Sequence, residues 1–315
     1  MNNIVTKLIH VFQQKRFTLQ QAYEVIPEYN KESIRARVYE NLGELFERIS
    51  RGVYEVTLND ITAIVIEDDA RDLSILANES VDAIIADYPW VNPKAHKGGN
   101  RGFANDYTGF IYASFDFEEK ARVLKKGCFL IEFLPLESES NWKELARIKQ
   151  LAENAGLFYY AKVPYYENRI RNTGRTSKAG GDLLFFTKGK ARALRPDMKK
   201  RKQTGDENFC MSGTSAMLPI SFQAPLPAKK ELRHQSMKSI HLIEEILTYI
   251  TKEEEIVLDQ YAGSFATTYA CMKQNRFAIA IEKNKQFVDN AYVWLSQAAS
   301  VLNVDSDNNL QMRLF

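Results

Sequence analysis

The sequence predicts an α/β protein, a doubly wound and mainly parallel sheet of Rossmann-like type, preceded by a small helical unit with a β-wing. Two observations carry this. From about residue 60 onward, short apolar runs rich in Val, Ile and Phe alternate with segments of helical periodicity, which sets strands and crossover helices in turn. Two of those runs, "VDAIIADYPW" at 81–90 and "IVLDQYAGSF" at 256–265, finish in an acid followed by a turn. Strand tips of this kind are where open α/β sheets hold their ligands.

Residues 1–58 form the first unit. Apolar residues recur at helical spacing in "IVTKLIHVF", in "TLQQAYEVI" and in "SIRARVYENLGELFERI", and "SRGVYEVTL" closes the segment as a turn and an alternating strand. Three short helices and a wing predict a winged helix-turn-helix, with Thr18 capping the second helix and Asn30 or Ser33 the third. The third helix of such a unit enters the major groove and its wing meets phosphate, which aims Lys31, Arg35, Arg37 and Arg51 at duplex DNA. The segment is nearly neutral overall, so a small bundle for protein contacts is the competing reading.

Residues 59–315 form the second unit. Its strands are "TAIVIEDD", "VDAIIADYPW", "GCFLIEFLPL", "FYYAKVPYY", "DLLFFTKG", "EIVLDQYAG" and "RFAIAIEKN". Helices are expected at "FDFEEKARVLKK", "NWKELARIKQLAENAG", "SIHLIEEILTYIT", "TTYACMKQ" and "KQFVDNAYVWLSQAASVL". Residues 190–233 have weak periodicity and several prolines, a long excursion that in a compact domain marks a functional or mobile segment, and a target-recognition excursion is expected around 165–233.

The composition is that of a globular protein, 45% hydrophobic and 26% charged. No run of about 18 apolar residues occurs and the N-terminus lacks the apolar segment of a signal peptide, so the expected compartment is the cytoplasm and no membrane is expected as partner. Cys128, Cys210 and Cys271 lie far apart, without the paired spacing of a zinc site or a disulfide framework, and read as packing residues. The net charge of +2 is unevenly spread: residues 161–203 hold thirteen Lys/Arg against three Asp/Glu. That run includes Arg169, Arg171, Arg175 and Lys178, which makes it a second candidate DNA contact.

The two acid-tipped strands suggest one site. After Asp259, the small residues Ala262, Gly263 and Ser264 let backbone approach a ligand, a helix starts near Thr267, and the next strand ends in Glu282, about two dozen residues on. This is how a Rossmann-type site holds a nucleoside, with the second acid on the ribose hydroxyls. In "ADYPW", Asp87 and the rings of Tyr88 and Trp90, stiffened by Pro89, make a pocket for a flat polar base; the alternative is that Tyr88 and Trp90 only cap the core.

Here the chain resembles the amino-group DNA methyltransferases. "VDAIIADYPW" resembles their catalytic motif D-P-P-Y/F/W, and "VLDQYAGSFATT…FAIAIE" their S-adenosylmethionine motif L-D-P-F-A-G-S-G-T-T…F-I-G-I-E. "EDDARDLSILANESVDAIIADYPW" follows G-D…L…S-V-D-L-I-V-T-D-P-P-Y, and "RHQSMKSIHLIEEIL" resembles H-P-T-Q-K-P-x-x-L-x-x-x-I. The catalytic motif comes first, which is the circularly permuted order of the β group. The resemblance implies a methyltransferase fold with S-adenosylmethionine as cofactor, bound by Asp68 or Asp69, His234, Lys238, Asp259, Tyr261, Ala262, Gly263, Ser264, Thr267 and Glu282. It implies that Asp87 and the carbonyl of Tyr88 accept hydrogen bonds from the target amine, that Pro89 stiffens the loop and that Trp90 stacks on the flipped base. The partner is double-stranded DNA, read by loops in 91–115 and 165–233; monomer and homodimer are both left open.

Three positions depart from the family pattern. Tyr88 replaces the first proline of the catalytic motif, Gln260 the proline after Asp259, and Phe265 the second glycine of the cofactor turn. A helix start one residue after Phe265 is expected to rotate its ring behind the turn. An aspartate-type motif favours adenine N6 over cytosine N4 as target, by family tendency. The competing functions are a catalytically inactive DNA-binding regulator and an RNA adenosine methylase.

Overall fold

The computed structural model describes residues 3–12, 16–43, 45–56, 61–89, 109–167, 180–198, 217–225, 237–295, 300–304 and 310–312. Trp90, His234, Arg169, Arg171, Arg175, Lys178 and Cys210 lie outside the described residues.

The N-terminal unit runs α1 (Asn3–Val11), β1 (Arg16–Thr18), α2 (Leu19–Val25), α3 (Lys31–Glu40), β2 (Phe46–Ser50) and β3 (Val53–Val56). The strands form an antiparallel sheet in the order β1-β3-β2. Thr18 caps α2 in a reciprocal pair with Gln21, and of the two candidates for α3 it is Asn30 that caps, accepting from Ser33 N at 2.7 Å. The third helical segment is shorter than its periodicity suggested. It stops at Glu40, and Phe46–Ser50 is a strand, because Leu45 and Phe46 are buried beneath the sheet that β3 completes.

Among the described residues, ten strands form the main sheet. With β4 (Ile61–Glu67), β5 (Val81–Ala86), β6 (Leu124–Pro135), β7 (Leu157–Glu167), β8 (Gly180–Lys188), β9 (Phe222–Ala224), β10 (Ile256–Gln260), β11 (Phe277–Glu282), β12 (Ser300–Val304) and β13 (Leu310–Met312), the order is β13-β12-β4-β11-β10-β5-β6-β8-β7-β9. Pairing is parallel from β12 through β4, β11, β10 and β5 to β6, and antiparallel where β8 lies between β6 and β7. All seven strands read from the sequence are present. The last predicted helix is shortened: α8 (Lys285–Leu295) ends before Ser300–Val304, which instead extends the sheet beside β4.

Because both faces are covered, the central strands are apolar throughout and their residues divide by alternation. Ile84, Leu258, Ile279 and Ile281 join one core, with Phe117 of α4 (Ser114–Val123) and Leu145 and Ile148 of α5 (Trp142–Asn154). Ile85, Val257, Ala278 and Ala280 join the other, with Ile243 and Ile246 of α6 (Ile240–Ile250), Ala270 of α7 (Ala266–Lys273) and Val288 of α8. The buried residues of the N-terminal unit are continuous with the first core. Gly180 and Gly181 start β8 where a Cβ would lie 2.0 Å from the Tyr165 carbonyl and 2.4 Å from that of Leu134, so no other residue fits. Their pairing with Tyr165, Tyr166 and Pro135 sets the connection between β7 and β8 at the sheet edge where β5 also ends.

Candidate active site

The carboxyl ends of β4, β11, β10 and β5 converge on a cavity of about 720 Å³, within the usual range for small-molecule sites. Its wall includes Asp69, Asp87, Tyr88, Pro89, Lys238, Asp259, Tyr261, Ala262, Gly263, Ser264, Thr267 and Glu282. Strand β10 is where the chain order reverses, with β11 on one side and β5 on the other, and that crevice is the expected place for a ligand.

The turn after β10 is built by Asp259 and Glu282. Asp259, 4% exposed, accepts from Thr268 N at 2.9 Å and Thr268 Oγ1 at 2.6 Å. It thereby caps α7, whose own N-cap residue, Phe265, has no side chain able to do so. Burial pushes the Asp259 carboxyl up to about 7, outweighing the hydrogen bonds from Thr268 that favour the charged form. Glu282 accepts from Gly263 N at 2.8 Å with one oxygen and from Asn284 N at 2.7 Å with the other, which fixes the turn. The carboxylate keeps lone-pair capacity for a ligand hydroxyl. Gly263 has φ +50° and nothing but the Tyr261 carbonyl, at 3.8 Å, near where a Cβ would stand, so the backbone is open to close approach. Phe265 also adopts a left-handed conformation, φ 58°, with its ring fully buried in the core that α6 and α7 share. The ring therefore leaves the cavity unfilled, and a nucleoside-type ligand fits the space and the donor set.

Of the two upstream acids, Asp69 lines the cavity, held by Arg71 N at 3.1 Å and Lys283 Nζ at 3.1 Å. Asp68 is exposed, and its Oδ1 accepts from Asp69 N. Gln260 is buried, and its amide donates to the Ala70 carbonyl at 2.7 Å, tying the tip of β10 to the loop that carries Asp69.

At the tip of β5, Asp87 pairs with Lys238 Nζ at 2.6 Å. The resemblance puts Lys238 among the cofactor residues; here its ammonium lies on Asp87. The Asp87 charge raises the Lys238 ammonium above its ordinary range against the effect of burial. Tyr88 is 3% exposed and packs on Tyr112, ring centroids 4.0 Å apart, so its side chain does belong to the core, as the packing alternative has it. Pro89 accepts from Phe110 N at 3.0 Å, which closes the loop behind Asp87.

Beneath this loop lies a polar cluster that the sequence did not reveal. Lys120 pairs with Glu132, both side chains fully buried, and Tyr112 Oη donates to Glu132 at 3.0 Å. Lys120 Nζ lies 2.7 Å from the same hydroxyl. Burial pushes both charged groups toward their neutral forms, raising Glu132 and lowering Lys120. Beside it, Arg71 grips Asp116 through two hydrogen bonds of 2.7 and 2.9 Å and lies over the Phe110 ring. The available signal was the single acid inside "FLIEFLP", which requires a buried partner but does not name it.

In the N-terminal unit, Lys31, Arg35 and Arg51 are exposed, while Arg37 pairs with Glu40. Arg35 stacks over Tyr39 and Lys31 over Tyr23. These side chains stand apart from the cavity wall.

Fold and site together define an α/β protein with a nucleoside-type turn and an acid-bearing loop facing one cavity. The chain belongs to the N6/N4 methyltransferase family, described as DNA methylase, which it matches over residues 81–293. It is 26% identical to the type II methyltransferase M.HpaI of Haemophilus parainfluenzae over 234 residues, 70% of this chain and 70% of that relative. It is 43% identical to M.HindIII of Haemophilus influenzae over 51 residues, 16% of each. Among solved structures the fold is shared with M1.HpyAVI in complex with SAM, at TM-score 0.51, 19% identity and coverage of 73% of this chain and 98% of that one. It is shared as well with TTHA0409 of Thermus thermophilus complexed with S-adenosyl-L-methionine, at TM-score 0.54, 14% identity and coverage of 78% and 100%. A third is the cytosine-N4-specific PvuII DNA methyltransferase, at TM-score 0.51, 13% identity and coverage of 74% and 87%.

Proposed function

We propose that this chain is an S-adenosylmethionine-dependent DNA methyltransferase acting on an exocyclic amine of duplex DNA, adenine N6 in preference to cytosine N4, after base flipping. The observation that carries the reading is that Asp87 and Gly263, 176 residues apart in sequence, face one cavity. When bound, the cofactor supplies an electrophilic sulfonium methyl. The Gly263 turn would receive it by close backbone approach, with Glu282 on the ribose hydroxyls and Asp69 beside it at the adjoining tip of β4. Asp87 and the Tyr88 carbonyl would hold the amine, whose lone pair is delocalised into the ring, in line for attack. Burial of Tyr88 in the core fixes that carbonyl. The preference for adenine rests on the aspartate in the catalytic motif.

The order of the two motifs supports a circularly permuted, β-group enzyme. The helix, strand and hairpin order of the N-terminal unit, with exposed Lys31, Arg35 and Arg51, supports a winged helix-turn-helix on the duplex. Arg169, Arg171, Arg175 and Lys178 belong to the connection between Glu167 and Gly180, whose two ends lie at the edge where β5 ends, which supports a target-recognition role.

Expression in a methylation-free host, followed by genome sequencing with modified-base detection, tests the whole reading. The expected result is N6-methyladenine at one sequence motif, absent from cells expressing Asp87→Ala. N4-methylcytosine would correct the target, and an unmodified genome beside a folded protein would reject the enzyme in favour of a regulator.

A further inference from the structure

The Asp87–Lys238 contact joins two parts of the chain that are each held firmly. Asp87 follows directly on Ile85 and Ala86, which pair with β10 on one side and β6 on the other. Lys238 stands between Met237 and Ser239, both buried, and Ser239 caps α6. Its ammonium lies 5.5 Å from the centre of the Phe133 ring and reaches Asp87 Oδ2 at 2.6 Å, with the two side chains 21% and 32% exposed. A carboxylate at a strand tip otherwise turns about its last torsion, and an acceptor that turns does not align an amine. An ammonium delivered from the residue just before a capped helix start removes that freedom at one oxygen.

We propose that Lys238 is a positioning residue for methyl transfer, which clamps Oδ2 of Asp87 so that Oδ1 is presented to the target amine. This rests on the reading of Asp87 as the amine acceptor. It gives Lys238 a role in the chemical step, distinct from cofactor affinity.

The test compares Lys238→Met, Lys238→Arg and Lys238→Cys with the parent, each checked for folding by circular dichroism. The readouts are calorimetric affinity for S-adenosylmethionine and the single-turnover rate of tritiated methyl incorporation into genomic DNA from a methylation-free host. In Lys238→Met the rate should fall on the order of 100-fold while cofactor Kd stays within about threefold. Lys238→Arg should retain a substantial part of the rate. Alkylating Lys238→Cys with 2-bromoethylamine, which rebuilds an ammonium of nearly the same length, should restore about tenfold or more of what was lost. Cys128 and Cys271 are buried, and the identically treated parent controls for the rest. A parallel loss of cofactor affinity with an unchanged saturated rate would make Lys238 a cofactor ligand and overturn the proposal. So would a Lys238→Met enzyme as fast as the parent, or a rate that neither Arg nor the rebuilt ammonium recovers. Asp87→Ala, assayed alongside, separates the two levels: an active Asp87→Ala removes the proposed mechanism altogether, whereas an inactive one beside an active Lys238→Met removes only the clamp.

Discussion

Replacing Lys120 by Met should expose how the floor of the Asp87 loop is held. The substitution conserves volume and leaves Glu132 fully buried, with the Tyr112 hydroxyl as its remaining partner. A buried carboxylate without a counter-charge neutralises, and the cost is that of holding a proton the unfolded chain would release. Taking an ordinary glutamate value of about 4.3, that cost is on the order of 4 kcal/mol at about pH 7 and only about 1 kcal/mol at about pH 5. The sign follows from linkage: the variant's Glu132 binds its proton more tightly folded than unfolded, so the penalty grows as pH rises above the unfolded value and fades below it. Urea unfolding followed by circular dichroism at the two pH values measures this directly. The double variant Lys120→Met/Glu132→Gln, with no buried charge, should return to within about 1–2 kcal/mol of the parent. A deficit equal at both pH values, or a double variant as unstable as the single one at neutral pH, would show that the pair is not the buried ionic contact described.

Two further outcomes are expected. The Asp259 carboxyl is raised by burial to about 7, so its stabilising contribution is present below the ordinary carboxylate range and lost as pH rises through about 7. Asp259→Asn keeps an acceptor for Thr268 and should remove up to about 4 kcal/mol of pH dependence between about pH 4 and pH 7; identical slopes for parent and variant in urea unfolding would refute it. Combining Lys31→Ala, Arg35→Ala and Arg51→Ala should weaken DNA binding and lower the slope of log affinity against log salt by about 2–3, as for three lost phosphate contacts. An unchanged slope in a fluorescence-anisotropy titration would assign the N-terminal unit to a protein partner.

The central strands were legible because a strand buried on both faces must be apolar throughout, and an acid at its end must be there for another reason; Asp87, Asp259 and Glu282 announced themselves this way. Caps were equally local: Thr18 with Gln21, and Asn30 with Ser33, need no tertiary context. What depended on distant neighbours was not legible. Phe46–Ser50 continues a helical spacing but becomes a strand because β3 offers it a partner, and Ser300–Val304 leaves its helix because β4 has a free edge. The choice between Asp68 and Asp69 turned on which one faces the cavity, a matter of a single residue's rotation. Lys120 looks like any lysine in the sequence, and the resemblance marked Lys238 only as a cofactor residue; their pairing with Glu132 and Asp87 is set by packing.

The three departures from the family pattern fit together once their contacts are known. Phe265 occupies a left-handed conformation that costs a non-glycine residue roughly 1–2 kcal/mol. Full burial of its ring offsets this by about 1.5–3 kcal/mol. The helix start it leaves uncapped is capped instead by Asp259. Gln260 replaces a ring-stiffened backbone by a side-chain bond to the Ala70 carbonyl, which anchors the same strand tip to the Asp69 loop. Tyr88 exchanges proline's rigidity for a ring stacked on Tyr112, and Tyr112 is itself held by the buried Lys120–Glu132 pair. At each position a local constraint has been replaced by a tertiary one, and Asp87, Gly263 and Glu282 still line the cavity. Such a site depends on the packing behind it more than a proline- and glycine-built loop would. Loosening the Tyr112 support should therefore impair the Asp87 loop before it unfolds the sheet.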